Sequence, residues 1–159
     1  MIEANQLHDL VVKPALIALG KQFSQPAARA LIMGTIAHES LSGRFIKQVG
    51  GPALGIIQME PITHDDIWQN YLRYKPELVD RLKLLFEIKD PNADRLIYDL
   101  RYNAVMCRLH YRRVKEKLPA ADDIQGLARY WKAHYNTVEG KGSTEQFIQH
   151  FNNYVGGVF

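Results

Sequence analysis

A chain of 159 residues, 47% apolar and 23% charged, can bury a core without disulfide or metal staples and is far from the composition of a disordered segment. Its net charge of +3 suits an acidic polymer, a cell-wall glycan or a nucleic acid, without choosing between them. The single cysteine, Cys107, excludes an intramolecular disulfide and points to synthesis in a reducing compartment.

Helical periodicity dominates the chain and strand-like alternation is nearly absent, so the expectation is an all-α fold, a single domain of about seven helices. The opening MIEANQLHDLVVKPALIALG has an early acid, no basic leader and a proline inside its apolar run. It reads as an N-terminal helix within residues 1–25, bent at Pro14, and not as a secretory signal or a spanning segment. Leu7, Leu10, Val11 and Ile17 form its apolar face. Ser24 and Pro26 mark the start of a second helix, by hydroxyl capping and proline at the first turn. On that helix Ala28, Leu31, Ile32, Thr35, Ile36 and Glu39 share one face at offsets of three and four. An acid on the buried stripe has its pKa raised by desolvation.

Gly43 and Gly50-Gly51-Pro52 mark a loop. Thr63 with Asp66 reads as a capping box opening a third helix through Tyr71. Pro76 starts a fourth, with Leu78, Val79, Leu82, Leu85 and Phe86 inward. Residues 92–117 read as one long helix with Leu96, Ile97, Leu100 and Ala104 buried. Asp122 or Asp123 caps the next, whose inner face is Ile124, Leu127, Ala128, Trp131 and Tyr135. Ser143 and Gln146 form a second capping box, for a last helix bearing Phe147, Ile148, Phe151 and Tyr154.

Glu39 is the acid most exposed to a functional reading, because a buried carboxylate is costly unless paired, protonated or used. Gln58 lies in the apolar run GIIQM, as a core amide or a ligand-gripping one. Tyr135-Asn136-Thr137 ends a helix with three hydrogen-bonding side chains together, as a cap or as part of a site. The histidines lack metal-ligand spacing, so no metal is expected. The basic run Arg108, His110, Arg112, Arg113, Lys115 and Lys117 is either a solvated helix end or a contact for an anionic polymer. No nucleic-acid-binding signature accompanies it, so nucleic acid is not the expected partner.

Three pieces in order, Ile36-Ala37-His38-Glu39-Ser40, then Ala53-Leu54-Gly55-Ile56-Ile57-Gln58-Met59 with Pro61 and Thr63, then Leu127-Ala128-Arg129-Tyr130 leading to Tyr135-Asn136, resemble the lytic transglycosylase domain of the lysozyme-like superfamily and its goose-type lysozyme relatives. The likeness covers residues 26–140. In the family's long central helix an asparagine is common, here Asn103; a glycine is usual where Cys107 stands and a tyrosine where His110 stands. The segment from Tyr71 to Asp94 is longer than in compact members, and Thr137 replaces a small residue.

The resemblance implies a lysozyme-like fold around a glycan cleft, with peptidoglycan glycan strands as the partner and no cofactor. It implies that Glu39 protonates the bond between N-acetylmuramic acid and N-acetylglucosamine, then takes a proton from the C6 hydroxyl to close a 1,6-anhydro ring. Ser40, Gly55, Gln58, Met59, Tyr135 and Asn136 are the implied substrate-binding residues, with Tyr135 orienting Glu39 and Gly55 letting backbone approach the sugar. Two alternatives stand beside it. One is a hydrolytic lysozyme, with Glu60, Asp65 or Asp66 as base; the other is a non-catalytic glycan-binding or virion structural module. The setting expected is a phage or secretion-associated protein, made in the cytoplasm and acting at the cell wall after lysis release or as a virion component.

Overall fold

In the computed structural model, residues 1–136 and 140–159 are described. Eight helices and no strand occur among them, an all-α fold. The first, α1, runs over residues 4–19, and its stretch Leu7–Val12 is wound as a π-helix. Pro14 explains the winding. It has no N–H to give to the Leu10 carbonyl, and the preceding Lys13 N–H reaches five residues back, to the His8 carbonyl. The wider turn rotates the face. Leu7, Val12, Leu16 and Leu19 are buried, whereas the expected core residues Leu10 and Ile17 are 70% and 45% exposed.

Helix α2, Pro26–Ser40, is the axis of the molecule and packs against α1 and the later helices that begin at Leu100, Ile124 and Thr144. It starts at Pro26, as the sequence indicates, but the Ser24 hydroxyl makes no cap: the N-cap is Gln25, with no side-chain hydrogen bond. Almost every position from Ala28 to Ala37 is buried, so α2 has no solvent stripe opposite its apolar one. Gly34 makes this close packing feasible. A Cβ there would meet the Phe147 ring at 2.5 Å, so only glycine lets the helix that begins at Thr144 cross at this depth.

Helix α3 covers Pro61–Asp66 and continues as a π-turn through Ile67–Tyr71. Its N-cap is Glu60, with Pro61 in the first turn and no side-chain cap. The expected Thr63–Asp66 capping box is absent because the helix starts at Pro61, which leaves Thr63 inside its first turn, and Asp66 bonds Asn70 and Arg113. Helix α4, Pro76–Phe86, buries Leu82 and Phe86 as expected. The long helix expected over residues 92–117 is broken into α5, Arg95–Tyr98, and α6, Leu100–Arg112. Asp99 adopts an extended conformation between them and accepts hydrogen bonds from the Arg101 and Tyr102 amides, making it the N-cap of α6.

Helix α7 begins at Ile124 under an Asp123 cap and passes beyond Trp131 into a π-turn, Lys132–Asn136. Helix α8, Thr144–Tyr154, opens with the expected Ser143–Gln146 capping box. One apolar cluster extends from Leu7 through α2, α6 and α7 to Val155. Among the described residues no helix is long and apolar enough to cross a membrane.

Candidate active site

The carboxyl-terminal end of α2 is held by an unusual reversal. Leu41, Ser42 and Gly43 all have positive φ, 51°, 56° and 79°, a conformation that costs each non-glycine residue on the order of 1 kcal/mol. Ser40 sustains it. Its fully buried Oγ donates to the Ile36 carbonyl at 3.0 Å and accepts from the Gly43 amide at 2.9 Å. The Ser42 hydroxyl and carbonyl in turn hold the backbone of Ile2. Ser40, expected to touch substrate, instead fixes the helix end that carries Glu39.

Glu39 projects into a cleft of about 550 Å³ whose lining includes Gln58, Met59, Glu60, Thr63, Tyr135 and Asn136. The carboxyl is partly enclosed, and Trp131 Nε1 donates to its Oε1 at 2.9 Å. Burial raises the Glu39 pKa to about 7; the indole hydrogen bond opposes the rise by favouring the ionised form. Trp131 is fully buried and stacked on Phe147, with the His38 ring 4.3 Å away. Cys107, also fully buried, lies in the same core, and burial pushes its thiol pKa far up. It is a small core residue.

Opposite, the chain from Lys47 to Met59 folds into a tight loop closed by paired hydrogen bonds between Leu54 and Met59. Two left-handed residues, Gly55 at φ 74° and Gln58 at φ 46°, bracket its tip. Gln58 Nε2 donates to the Gly55 carbonyl at 2.8 Å, leaving the amide oxygen as its acceptor at the cleft wall. Gly55 itself faces the interior. A Cβ there would lie 2.0 Å from Asn103 Oδ1 and 2.6 Å from the Leu96 carbonyl oxygen. Its glycine is required by the packing of the loop on α6, and it does not line the cleft. Asn103, buried, donates to the Leu96 and Asp99 carbonyls and so holds the break between α5 and α6 beneath the loop.

Tyr135 donates its hydroxyl to the Ile57 carbonyl at 2.7 Å. It therefore anchors the loop bearing Gln58 and does not bond Glu39; that contact belongs to Trp131, one helical turn earlier on α7. Asn136 lies on the cleft wall with its Oδ1 accepting from Lys132 Nζ at 2.7 Å. The same Nζ donates to the Gly140 and Gly142 carbonyls, which ties the end of α7 to the chain entering α8. Thr137 lies outside the described residues.

His110 and Gln48 complete the wall, and neither stood out in the sequence as a site residue. Burial pushes the His110 pKa down to about 4, so the ring is neutral. In that state Nε2 donates to the His134 carbonyl at 2.9 Å and Nδ1 accepts from Arg113 Nη2 at 2.8 Å. Arg113 also donates to Asp66 at 2.6 Å. The chain Asp66–Arg113–His110–His134 thus braces α3, α6 and α7 around the cleft. It also removes Asp66 as a free base, while Asp65 bonds His64 Nδ1 at 2.9 Å. Of Glu60, Asp65 and Asp66, it is Glu60 that lines the cleft.

The signal that could have found Trp131 was present: it precedes Tyr135 by four residues, the spacing that puts two side chains on one helical face. Its bulk assigned it to the core, and it serves both places. In comparisons with protein-family models, curated proteins and solved structures, the chain has no match.

Proposed function

We propose that the cleft cleaves peptidoglycan as a lytic transglycosylase, at the bond between N-acetylmuramic acid and N-acetylglucosamine. The observation that carries this reading is Glu39, partly enclosed at the wall of a polar cleft with its pKa raised to about 7. A carboxyl with that value has both protonation states populated near neutral pH, which suits a group that acts first as acid and then as base. Protonated Glu39 gives its proton to the glycosidic oxygen as the bond breaks and positive charge develops on the muramyl ring. The resulting carboxylate accepts the proton of the same sugar's C6 hydroxyl, whose oxygen closes on the anomeric carbon. Trp131 holds the carboxylate in place during the exchange. Gln58 and Asn136 supply amide groups to the acetamido and hydroxyl groups of the glycan, while Met59, only 2% exposed, backs the cleft wall from the core.

Product analysis tests the proposal. Purified protein incubated with sacculi is expected to release anhydro-ended muropeptides, and Glu39→Gln to release none. Release by Glu39→Gln at the wild-type rate would sink it.

A hydrolytic reading is favoured by one observation: Glu60 is an exposed carboxylate that lines the same cleft as Glu39. Reducing-end products, lost in Glu60→Gln, would establish it. Binding to sacculi with no turnover by the wild-type protein would instead support a non-catalytic module. Action at the wall also needs a delivery route. Recovery of the protein from purified phage particles supports virion carriage, and its absence from them supports release at lysis.

A further inference from the structure

The basic run of the sequence is divided by the fold. His110 lines the cleft and Arg113 braces it through His110 and Asp66, while Arg108, Arg112, Lys115 and Lys117 line a second cavity of about 660 Å³. Gln25 and Ala27, at the start of α2, belong to the same lining. Glu39 is at the other end of that helix, so the two sites lie roughly 18 Å apart along its axis at 1.5 Å per residue.

Arg108 is the notable member. The residue is only 4% exposed, and its Nε donates to the Phe23 carbonyl at 3.0 Å. Its two terminal nitrogens have no hydrogen-bond or ion-pair partner among the described residues. The carboxylate in the lining, Glu116, is bonded to His134 Nε2 at 3.0 Å. The guanidinium is largely enclosed and lacks a counter-charge among the described residues, which is costly, and its terminal nitrogens are open to the cavity. Burial, followed by repulsion from Arg112, accordingly pushes the Arg108 pKa down.

The start of α2 adds an independent attraction. Pro26 has no amide hydrogen and Gln25 provides no side-chain cap, so the first amides of this 15-residue helix lack side-chain partners at the cavity rim. That end of a helix carries the positive pole of its dipole.

From the convergence of a buried arginine without a counter-charge among the described residues, three further cations and an uncapped helix start on one cavity, we infer a binding site for a phosphate group, either free or as the terminal monoester of a small molecule. Four cations against one engaged carboxylate call for a multiply charged anion, and a phosphate is nearly doubly charged at neutral pH. The planar fork of arginine matches two of its oxygens. A nucleic-acid backbone fits less well. It needs an extended basic surface, and His110 and Arg113 leave the run to brace the cleft.

Calorimetric titration with inorganic phosphate, at fixed ionic strength, tests the site. Saturable binding is expected, weakened about tenfold or more in Arg112→Ala/Lys115→Ala and unchanged in Glu39→Gln. Arg112 and Lys115 are exposed, so this variant keeps its fold where loss of Arg108 could disturb it. Glycerol 3-phosphate binding more tightly than inorganic phosphate assigns a monoester; equal or weaker binding assigns the free ion. The inference is overturned by the lack of saturable phosphate binding, by undiminished binding in the double variant, or by binding of a DNA duplex that phosphate does not displace. Sacculus cleavage is a separate readout, so either idea can fail without the other.

Discussion

Trp131 donates its indole hydrogen to Glu39 at 2.9 Å from a ring that is itself fully buried. The acid is thus held by a donor that stabilises its ionised form, while burial stabilises its protonated form. Trp131→Phe removes the donor and keeps an aromatic ring. The Glu39 pKa then rises further, and the alkaline limb of the cleavage profile moves to higher pH. Loss of stability accompanies the change, because a smaller ring leaves a gap in the core. The limb position is independent of how much protein is folded, so a profile that keeps its wild-type limb would contradict this role.

Glu39→Gln separates chemistry from stability. Cleavage of sacculi is expected to fall by roughly a hundredfold or more, the usual scale for loss of a general acid. Folded Glu39 keeps its proton up to about 7, whereas an unperturbed glutamate releases it near 4.5. The native state therefore binds the extra proton between those values, and wild-type stability declines as pH rises through that window. Glutamine does not titrate and still accepts the indole hydrogen bond. The variant should gain on wild type by about 2 kcal/mol between pH 4.5 and 7, allowing for partial exposure, and the difference should stay level above it. Denaturant melts at three pH values check the sign.

Wild-type cleavage should also lose activity as pH rises through about 7, where the free enzyme gives up its acid. An initial-rate profile at low substrate reads that ionisation. Activity still rising between pH 7 and 9 would exclude Glu39 as the proton donor.

Tyr135→Phe distinguishes two roles for the phenol. Its hydroxyl bonds the Ile57 carbonyl at 2.7 Å, so its removal should cost about 1 kcal/mol of stability and loosen the turn that carries Gln58. The expected result is a higher KM with the alkaline limb unmoved. A shifted limb would place the hydroxyl on Glu39.

Gly55→Ala tests the loop. With φ at 74° and Asn103 Oδ1 where the Cβ would stand, the substitution should cost about 2 kcal/mol or more. Thermal melts measure it, and a neutral effect would mean that the loop does not rest on α6 as described.

How much of this was legible beforehand varies with the range of the interactions involved. Asp123 and the Ser143–Gln146 box cap their helices because both partners lie within one turn, and such signals survive any tertiary arrangement. Leu10 and Ile17 read as core by regular spacing, yet they face solvent because Pro14 forces a π-turn upstream and rotates the face. Asp99 splits a continuous apolar pattern by capping α6 itself, a choice that periodicity does not reveal. The family resemblance makes Ser40, Gly55 and Tyr135 substrate-binding residues. Their hydrogen bonds and contacts instead go to the end of α2, to Asn103 beneath the loop, and to the Ile57 carbonyl.

By itself the sequence determined an all-α chain and an acid on the buried stripe of its second helix, together with the upward direction of that acid's pKa. Those follow from local periodicity and from the cost of desolvating charge. Only the tertiary structure decided that Trp131 is the partner of Glu39, that His110 is a neutral brace, and that, among the described residues, Glu60 is a second carboxylate at the cleft. It alone divided the basic run between two cavities. Each of these depends on elements distant in sequence being packed side by side, and helical spacing carries no record of such packing.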